Sequence, residues 1–173
     1  MMRVARIDLC VKSLEKSFAK IQPVSLDTVC YGIVSEKHDS LNSNGSLLVS
    51  GRYNNRQFLV LYFSESKEVC FAEKERKTTI KTKSIYKIAK IKAKLKKVLD
   101  LTNSDNLKKL SVKKEELISE DWSIPQHIAT LAFQKGDEAI LVPSATRKGN
   151  NLVIFPENYS KGSIVDKTLE ETL

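Results

Sequence analysis

The hydrophobic residues of this chain fall into short runs separated by polar turns, which is typical of a strand-rich protein. The segments DTVCYGIV (27–34) and QFLVLYF (57–63) are rich in aromatic and β-branched residues, and each predicts a strand. The polar segment 35–46 between them predicts a long loop. Later, AILVPS (139–144) and NLVIFPE (151–157) predict two strands joined by the polar turn ATRKGN.

Helix signals occupy the middle of the chain. Ser66 offers an N-cap and Glu68 an acidic first turn for a helix that extends to about Arg76. The segments TNSDNLKKL (102–110) and SVKKEELI (111–118) each predict a short capped helix. The order of these elements predicts one α+β domain, with strands before and after a helical middle.

A longer helix is predicted for SIPQHIATLAFQKG (123–136). Ser123 is the expected cap, Pro125 lies in the first turn, and Gly136 is the expected stop. Its apolar stripe consists of Ile128, Leu131 and Ala132.

The segment IYKIAKIKAKLKKVLDL (85–101) fits two secondary structures. The three- and four-residue spacing of a helix is matched by Ile85, Ile88, Ile91, Leu95 and Val98. The alternation of a strand is matched by Ile91, Ala93 and Leu95, which are interleaved with Lys92, Lys94 and Lys96. Propensity alone does not separate the two.

Composition indicates an ordinary soluble protein. The chain has 173 residues, enough for one domain, with 41% hydrophobic and 29% charged residues. No apolar run is long enough to span a membrane. Asp8 and Lys12 interrupt the N-terminal segment, so no signal peptide is predicted. Cys10, Cys30 and Cys70 are scattered and only two histidines are present, so we expect a reduced, cytoplasmic protein without a metal site.

The net charge of +8 is concentrated in one segment. Residues 74–97 contain ten lysines and one arginine against one glutamate, a charge of +10, which leaves −2 for the rest of the chain. Such a stripe is typical either of a solvated face or of a surface that attracts a polyanion. Because no aromatic ladder accompanies the lysines, we expect no direct binding of nucleic acid.

Three polar residues stand out in the stretch from Ser50 to Glu73. Arg52 follows a glycine, Tyr62 is near the end of a predicted strand, and Glu73 lies two turns into the predicted helix. Arginine binds phosphate with paired hydrogen bonds, tyrosine offers a stacking face, and a carboxylate stabilises positive charge that develops on a sugar. If the helix packs over the strand, the three side chains share a cleft suited to a nucleotide sugar. The alternative is a core tyrosine with surface charges.

An ordered set of motifs resembles the RES domain family. The motifs are GRYN (51–54), LYFSES (61–66), FAE (71–73) and LVPSATRKGNNLVIFPEN (141–158). The resemblance covers about Val29 to Asn158. It implies an N-terminal extension at 1–27, a RES domain at 28–160 and a C-terminal tail at 161–173. The family also resembles ADP-ribosyltransferases in fold, which implies a mixed β core with flanking helices.

The resemblance also implies a substrate and a set of site residues. Members of the family typically deplete NAD⁺ by hydrolysis or phosphorolysis of the nicotinamide–ribose bond. NAD⁺ is then a substrate, and no permanently bound cofactor is expected. Arg52 is expected to hold the pyrophosphate, Tyr62 to pack on the nicotinamide or its ribose, and Glu73 to stabilise the developing cation. Ser144 is expected to contact the ribose or the amide, and Tyr53 replaces the family's tryptophan beside the dinucleotide.

The family likewise favours one structure for the ambiguous segment. Its members tend to have a strand that ends in a Leu-Asp-Leu motif, so we predict a strand for KIKAKLKKVLDLT (90–102).

Two positions differ from the family. Gly32 follows Tyr31 where many members have arginine, and Ala129 replaces a common glycine.

Family members are typically toxins of bacterial toxin–antitoxin pairs. The resemblance therefore implies an Xre-type antitoxin as a partner, whose C-terminal segment blocks the cleft. The sequence leaves open whether the chain forms a homodimer. It also leaves open whether the acceptor is water, phosphate or a protein side chain, the last of which would make the protein an ADP-ribosyltransferase. The alternatives outside the enzymes are a non-catalytic nucleic-acid-binding module that uses the lysine stripe and a domain that keeps the fold for interaction only.

Overall fold

A computed structural model of the protein describes residues 14–77, 85–146 and 148–173. The strands in these ranges are β1 (Val24–Ser35), β2 (Leu61–Ser64), β3 (Tyr86–Asp100), β4 (Ala139–Pro143), β5 (Asn150–Ile154) and β6 (Ile164–Thr172). The helices are α1 (Gly45–Leu48), α2 (Lys67–Lys77), α3 (Ser104–Leu110), α4 (Lys114–Ile118) and α5 (Ser123–Lys135). Residues 14–18 are also helical, and Pro156–Asn158 form a 3-10 turn. Cys10, half of the predicted N-terminal extension, part of the lysine-rich segment (78–84) and Arg147 of the predicted turn lie outside the described residues.

The strands form a closed barrel with one strand added outside it. The order around the ring is β1, β2, β5, β4 and β3, and β3 closes the ring by pairing with β1. The β3–β4 pair is parallel, and the other pairs of these strands are antiparallel. β6, which the sequence pattern did not predict, pairs with the free side of β3. The predicted α+β domain, with a mixed β core and flanking helices, is confirmed.

The predicted strand in the lysine-rich segment is also confirmed. Along β3 the residues Ile91, Ala93 and Leu95 are buried, whereas Lys92 and Lys94 between them are exposed. This two-residue alternation buries one face against the barrel interior, and it lets β3 pair with β1 over most of its length.

Two local predictions are corrected. The strand predicted at 57–63 begins only at Leu61, because the backbone N–H groups of Leu59 and Val60 donate to the side chains of Glu157 (2.8 Å) and Ser46 (2.9 Å). Ser123 was predicted to cap α5 but is its first helical residue. Its backbone N–H donates instead to Asp121 Oδ1 at 2.9 Å.

Two other helix signals are confirmed. Ser66 caps α2, since its Oγ accepts a hydrogen bond from the Val69 N–H at 3.2 Å. Gly136 ends α5 with φ of 83°, a left-handed conformation that favours glycine.

The barrel wall separates two hydrophobic clusters. Leu61 and Phe63 of β2 belong to the cluster inside the barrel, together with Leu152 and Ile154 of β5. The alternate residues of these strands face a second cluster on the outer side, which is formed with α5 and the helical residues 14–18. Tyr62 packs against this outer cluster. Because successive side chains of a strand point to opposite faces, its ring lies outside the barrel, whereas its neighbours Leu61 and Phe63 lie inside.

A buried carboxylate connects β3 to the chain that follows β5. Glu138 is fully buried, and its Oε2 accepts hydrogen bonds from the N–H groups of Lys96 (2.6 Å) and Lys97 (2.8 Å). Its Oε1 accepts from the Ser160 N–H at 2.7 Å and from the Ser163 hydroxyl. Burial by itself raises the pKa of Glu138, but these four hydrogen bonds favour the carboxylate and hold the pKa below its usual value.

We expect Glu138→Gln to lower the free energy of unfolding at pH 7 by about 1 to 3 kcal/mol. In the better orientation of the amide, its oxygen accepts from Lys96 and Lys97 and its NH₂ group donates to the Ser163 hydroxyl, but the Ser160 N–H loses its acceptor, and one unsatisfied group costs about 1–3 kcal/mol. The pKa of Glu138 is lower in the folded protein than in the unfolded chain. The stability that its carboxylate contributes is therefore present above the unfolded-state pKa of about 4.3, and it is lost as the pH falls through the folded-state pKa. Denaturant unfolding at pH 7 and at acid pH measures the difference, which should shrink at low pH. Exposed Glu115→Gln is the control, and equal stability of the two variants at pH 7 would contradict the assignment.

Candidate active site

A cleft of about 390 Å³ opens on the outer side of the barrel. Its walls come from residues 42–54, from β2 and β5, from α2 and from the loop before α5. The polar and aromatic side chains that line it include Arg52, Tyr53, Asn54, Tyr62, Glu73, Arg76, Trp122 and Asn151. Arg52, Tyr62 and Glu73, which lie on a loop, a strand and a helix, therefore share one cleft.

The Glu73 carboxylate is held against the loop between β4 and β5. Its Oε1 accepts hydrogen bonds from the Ser144 hydroxyl (2.7 Å), the Ala145 N–H (3.2 Å) and the Asn151 side-chain amide (2.8 Å). Three donors on one oxygen fix the orientation of the carboxylate at the wall of the cleft. This arrangement suits a group that stabilises positive charge at a defined position.

Ser144 lies behind Glu73 and outside the lining of the cleft. It is fully buried, and its hydroxyl is 2.6 Å from Thr146 Oγ1 as well as 2.7 Å from Glu73 Oε1. In this structure the Ser144 hydroxyl contacts the Glu73 carboxylate, and its expected contact with a ribose or an amide stays a prediction. Ser144 is a positioning residue in this geometry.

Tyr62 connects the strand to the loop that carries Arg52. Its hydroxyl donates to Asn54 Oδ1 at 2.7 Å and accepts from the Tyr53 N–H at 3.1 Å. Burial raises the pKa of Tyr62, so the hydroxyl keeps its proton at neutral pH. A Cβ on Gly51 would lie 2.4 Å from Asn54 Oδ1 and 2.8 Å from the Tyr62 hydroxyl oxygen. Glycine is thus required there by the close approach of these two side chains.

Arg52 is anchored at the end of α4. Its Nη1 donates to the carbonyl oxygens of Leu117 (3.2 Å) and Ser119, and the guanidinium lies 5.8 Å from the centre of the Trp122 ring. Burial lowers the pKa of Arg52, but an arginine remains protonated. Its Nη2 is buried and has no hydrogen-bond partner among the described residues. Arg52 also lines the cleft, so its guanidinium belongs to the cleft wall and carries a nitrogen with unused donors.

Tyr53 contributes mainly to the packing beneath the cleft. Only 3% of this residue is exposed, and its hydroxyl donates to the Leu117 carbonyl oxygen at 3.4 Å. Burial raises the pKa of Tyr53. Its expected role beside a dinucleotide stays a prediction.

A second pocket of about 270 Å³ adjoins the cleft. The two cavities share Tyr62, Glu73 and Asn151. The second pocket is also lined by Ile33, Phe63, Ser64, Cys70 and Lys74. Glu73 therefore lines both cavities.

Three residues of the site escaped the sequence analysis as individual positions. Asn151 lies within the GNNLVIF motif, and that motif was its only signal. No sequence signal marked Trp122 or Arg76 as a site residue, because each reaches the cleft from a segment whose position depends on the closed barrel. The Trp122 Nε1 is buried and without a hydrogen-bond partner in the described ranges.

Three absences concern the described part of the chain. No lysine of these ranges lines the cleft itself. Among the described residues, no three or more His, Cys, Asp or Glu side chains are grouped so that they could hold a metal ion. None of the helices in the described ranges is long and apolar enough to cross a membrane.

Comparisons with known proteins agree with this fold. The chain is similar to one from the crystal structure of the M. tuberculosis MbcT–MbcA toxin–antitoxin complex, with a TM-score of 0.79 and 22% sequence identity. The similarity covers 93% of this chain and 92% of that chain. None of the curated proteins compared matches the chain. The model of the RES domain matches residues 29–171. The chain therefore belongs to the RES domain family.

Proposed function

We propose that this protein cleaves the bond between nicotinamide and ribose in NAD⁺. The observation that carries the proposal is the placement of Arg52 and Glu73 on one cleft. Arg52 offers a buried donor to a phosphate oxygen, and Glu73 offers an oriented negative charge to a developing cation. Membership of the RES domain family supports the same substrate.

Substrate binding follows from the chemistry of the cleft walls. The Arg52 guanidinium, whose Nη2 is uncovered by a small side-chain movement, donates to an oxygen of the pyrophosphate. Such a charge-assisted hydrogen bond is stronger than a neutral one. The rings of Tyr62 and Trp122 offer apolar faces to the nicotinamide or the ribose. Bond cleavage then takes place beside Glu73, where the cleft meets the second pocket.

In the reaction, the bond between the ribose carbon and the nicotinamide nitrogen breaks. Its electron pair goes to the ring nitrogen, so nicotinamide leaves as a neutral molecule and needs no general acid. The positive charge that remains on the ribose is stabilised by Glu73, which Ser144 and Asn151 hold in place. Water then bonds to the ribose carbon and loses a proton, which yields ADP-ribose. If phosphate attacks instead, the product is ADP-ribose 1″-phosphate, in which the phosphate is bonded to that carbon.

The test is incubation of the purified protein with NAD⁺, with and without inorganic phosphate, followed by separation of the products. We expect nicotinamide in both cases, with ADP-ribose or its phosphorylated form as the second product. ADP-ribose attached to a protein would identify transfer as the reaction. Stable NAD⁺ under all of these conditions would exclude the proposed activity.

An antitoxin is the proposed partner, and the cytoplasm the proposed location. The similar chain belongs to a toxin–antitoxin complex, which supports such a partner. A cytoplasmic enzyme that depletes NAD⁺ also needs an inhibitor to spare its host.

Expression in a bacterial host tests the toxin proposal. The wild type alone should arrest growth while cellular NAD⁺ falls, and Glu73→Gln should do neither because the charge that stabilises the ribose cation is removed. Growth curves and NAD⁺ extraction measure both effects. Harmless accumulation of the wild type with unchanged NAD⁺ would rule out a toxin.

A further inference from the structure

A second arginine reaches the cleft from α2. Arg76 lies one helical turn beyond Glu73 and lines the same cleft as Arg52. Its Nη2 forms an ion pair with Glu120 Oε1, and the Arg76 side chain is 30% exposed. The motifs of the sequence analysis give Arg76 no role.

Both arginines contact the short loop between α4 and α5. Arg52 donates to the Ser119 carbonyl oxygen, and Arg76 pairs with the side chain of the next residue, Glu120. Trp122 of the same loop lies against the Arg52 guanidinium. The loop therefore brings two guanidinium groups to one wall of the cleft.

The electrostatics of this wall favour a ligand with more than one negative charge. Burial is the main cause of the lowered pKa of Arg52, and the positive charge of Arg76 contributes to it, whereas Glu120 and Glu73 act in the opposite direction. Glu120 thus offsets a repulsion between two cations. A ligand with two charged phosphate groups would offset it more completely, because it can interact with both.

We propose that Arg76 is a second anion-binding residue of the cleft, and that Glu120 competes with the ligand for it. The ligand class is a pyrophosphate ester, which Arg52 and Arg76 bind together. This inference rests on the proposed function for the identity of the substrate, but the two arginines make an anion site whether or not the bond is cleaved.

The exposure of Glu120 makes this exchange favourable. Its side chain is 82% exposed, and exposed ion pairs contribute little because water and salt screen them. A phosphate group offers several charged oxygens to a guanidinium and accepts paired hydrogen bonds. A phosphate that enters the cleft therefore displaces Glu120 from Arg76, and Glu120 turns into solvent.

The chain carries a reporter for this test. Trp122 is its one tryptophan, and it lines the cleft beside Arg52. Tryptophan fluorescence during titration with inorganic pyrophosphate, and separately with ADP-ribose, measures binding without turnover. We expect Arg76→Ala to weaken binding by roughly 10- to 100-fold, the range for a hydrogen bond between charged groups. Glu120→Gln should tighten binding by about two- to fivefold, the range for an exposed ion pair.

The double variant tests the competition directly. In the Arg76→Ala background, Glu120→Gln should have no further effect, since the residue for which it competes is missing. Lys114→Ala and Glu115→Gln are matched controls, because each makes the same change of charge at an exposed position on α4. Both controls should bind as the wild type does.

Each outcome supports the inference or overturns it. It is overturned if Arg76→Ala binds pyrophosphate as the wild type does, or if Glu120→Gln tightens binding equally without Arg76. The expected pattern in a protein that leaves NAD⁺ intact would support the anion site and refute only the proposed reaction. Conversely, NAD⁺ cleavage with an unchanged KM in Arg76→Ala would refute the second site and leave the reaction in place.

Discussion

Replacement of Glu73 by glutamine should lower kcat for NAD⁺ cleavage by about 10²- to 10³-fold, the usual effect of losing one oriented electrostatic contact. The amide oxygen of glutamine can still accept the hydrogen bonds from Ser144, Ala145 and Asn151, so the local structure should persist. What is lost is the negative charge that faces the ribose cation. NAD⁺ loss at saturating substrate measures kcat, and a thermal melt measures folding.

Glu75→Gln is the matched control for this prediction. Glu75 lies on the same helix, is exposed, and loses the same charge upon substitution. We expect wild-type rates from this variant. Undiminished cleavage by Glu73→Gln, with the melting temperature unchanged, would remove Glu73 from the mechanism.

Substitution of Arg52 should raise KM for NAD⁺ by roughly 10- to 100-fold, since hydrogen bonds between charged groups contribute about 1.5–3 kcal/mol. Lysine retains the charge but has a single nitrogen. It cannot contact Leu117 and Ser119 through one nitrogen and a phosphate through another, as the guanidinium can. Both Arg52→Lys and Arg52→Ala should therefore bind NAD⁺ weakly, with the alanine variant weaker. Initial rates over a range of NAD⁺ concentrations measure this effect.

Arg52 also stabilises the end of α4, so a control for folding is needed. A structural role alone predicts a lower melting temperature and a normal KM for the molecules that remain folded. A role in binding predicts a raised KM at temperatures where the variant is fully folded. Wild-type saturation by Arg52→Lys would identify Arg52 as a structural residue.

The features of the fold that depend only on residues close together in the chain are predictable from the sequence. The cap at Ser66 and the stop at Gly136 depend only on neighbouring residues, and both predictions are confirmed. The start of β2 depends on partners far along the chain, since Glu157 and Ser46 accept the hydrogen bonds that a neighbouring strand would otherwise have taken. β6 escaped prediction because its exposed residues lack the apolar content of a buried strand.

The site is predictable in its residue types but only partly in its contacts. Arg52, Tyr62 and Glu73 stand at motif positions within 22 residues of chain, and they do line one cleft. The position of Ser144 behind Glu73 follows from the closure of the barrel, in which β5 pairs with both β2 and β4. Arg76 and Trp122 reach the cleft for the same nonlocal reason. The pattern of hydrophobic and polar residues along the chain does not predict which of these side chains come together in space.

The hydrogen bonds that hold the Glu73 carboxylate in place can form only late in the synthesis of the chain. Its hydrogen-bond donors Ser144, Ala145 and Asn151 follow it by 71, 72 and 78 residues. A ribosome that adds about 5–20 residues per second needs roughly 4 to 16 s to cover the longest of these separations. During that interval the nascent chain has its carboxylate but lacks the β4–β5 segment that orients it. If Glu73 has the proposed role, each newly made molecule acquires the activity only after β5 has joined the barrel.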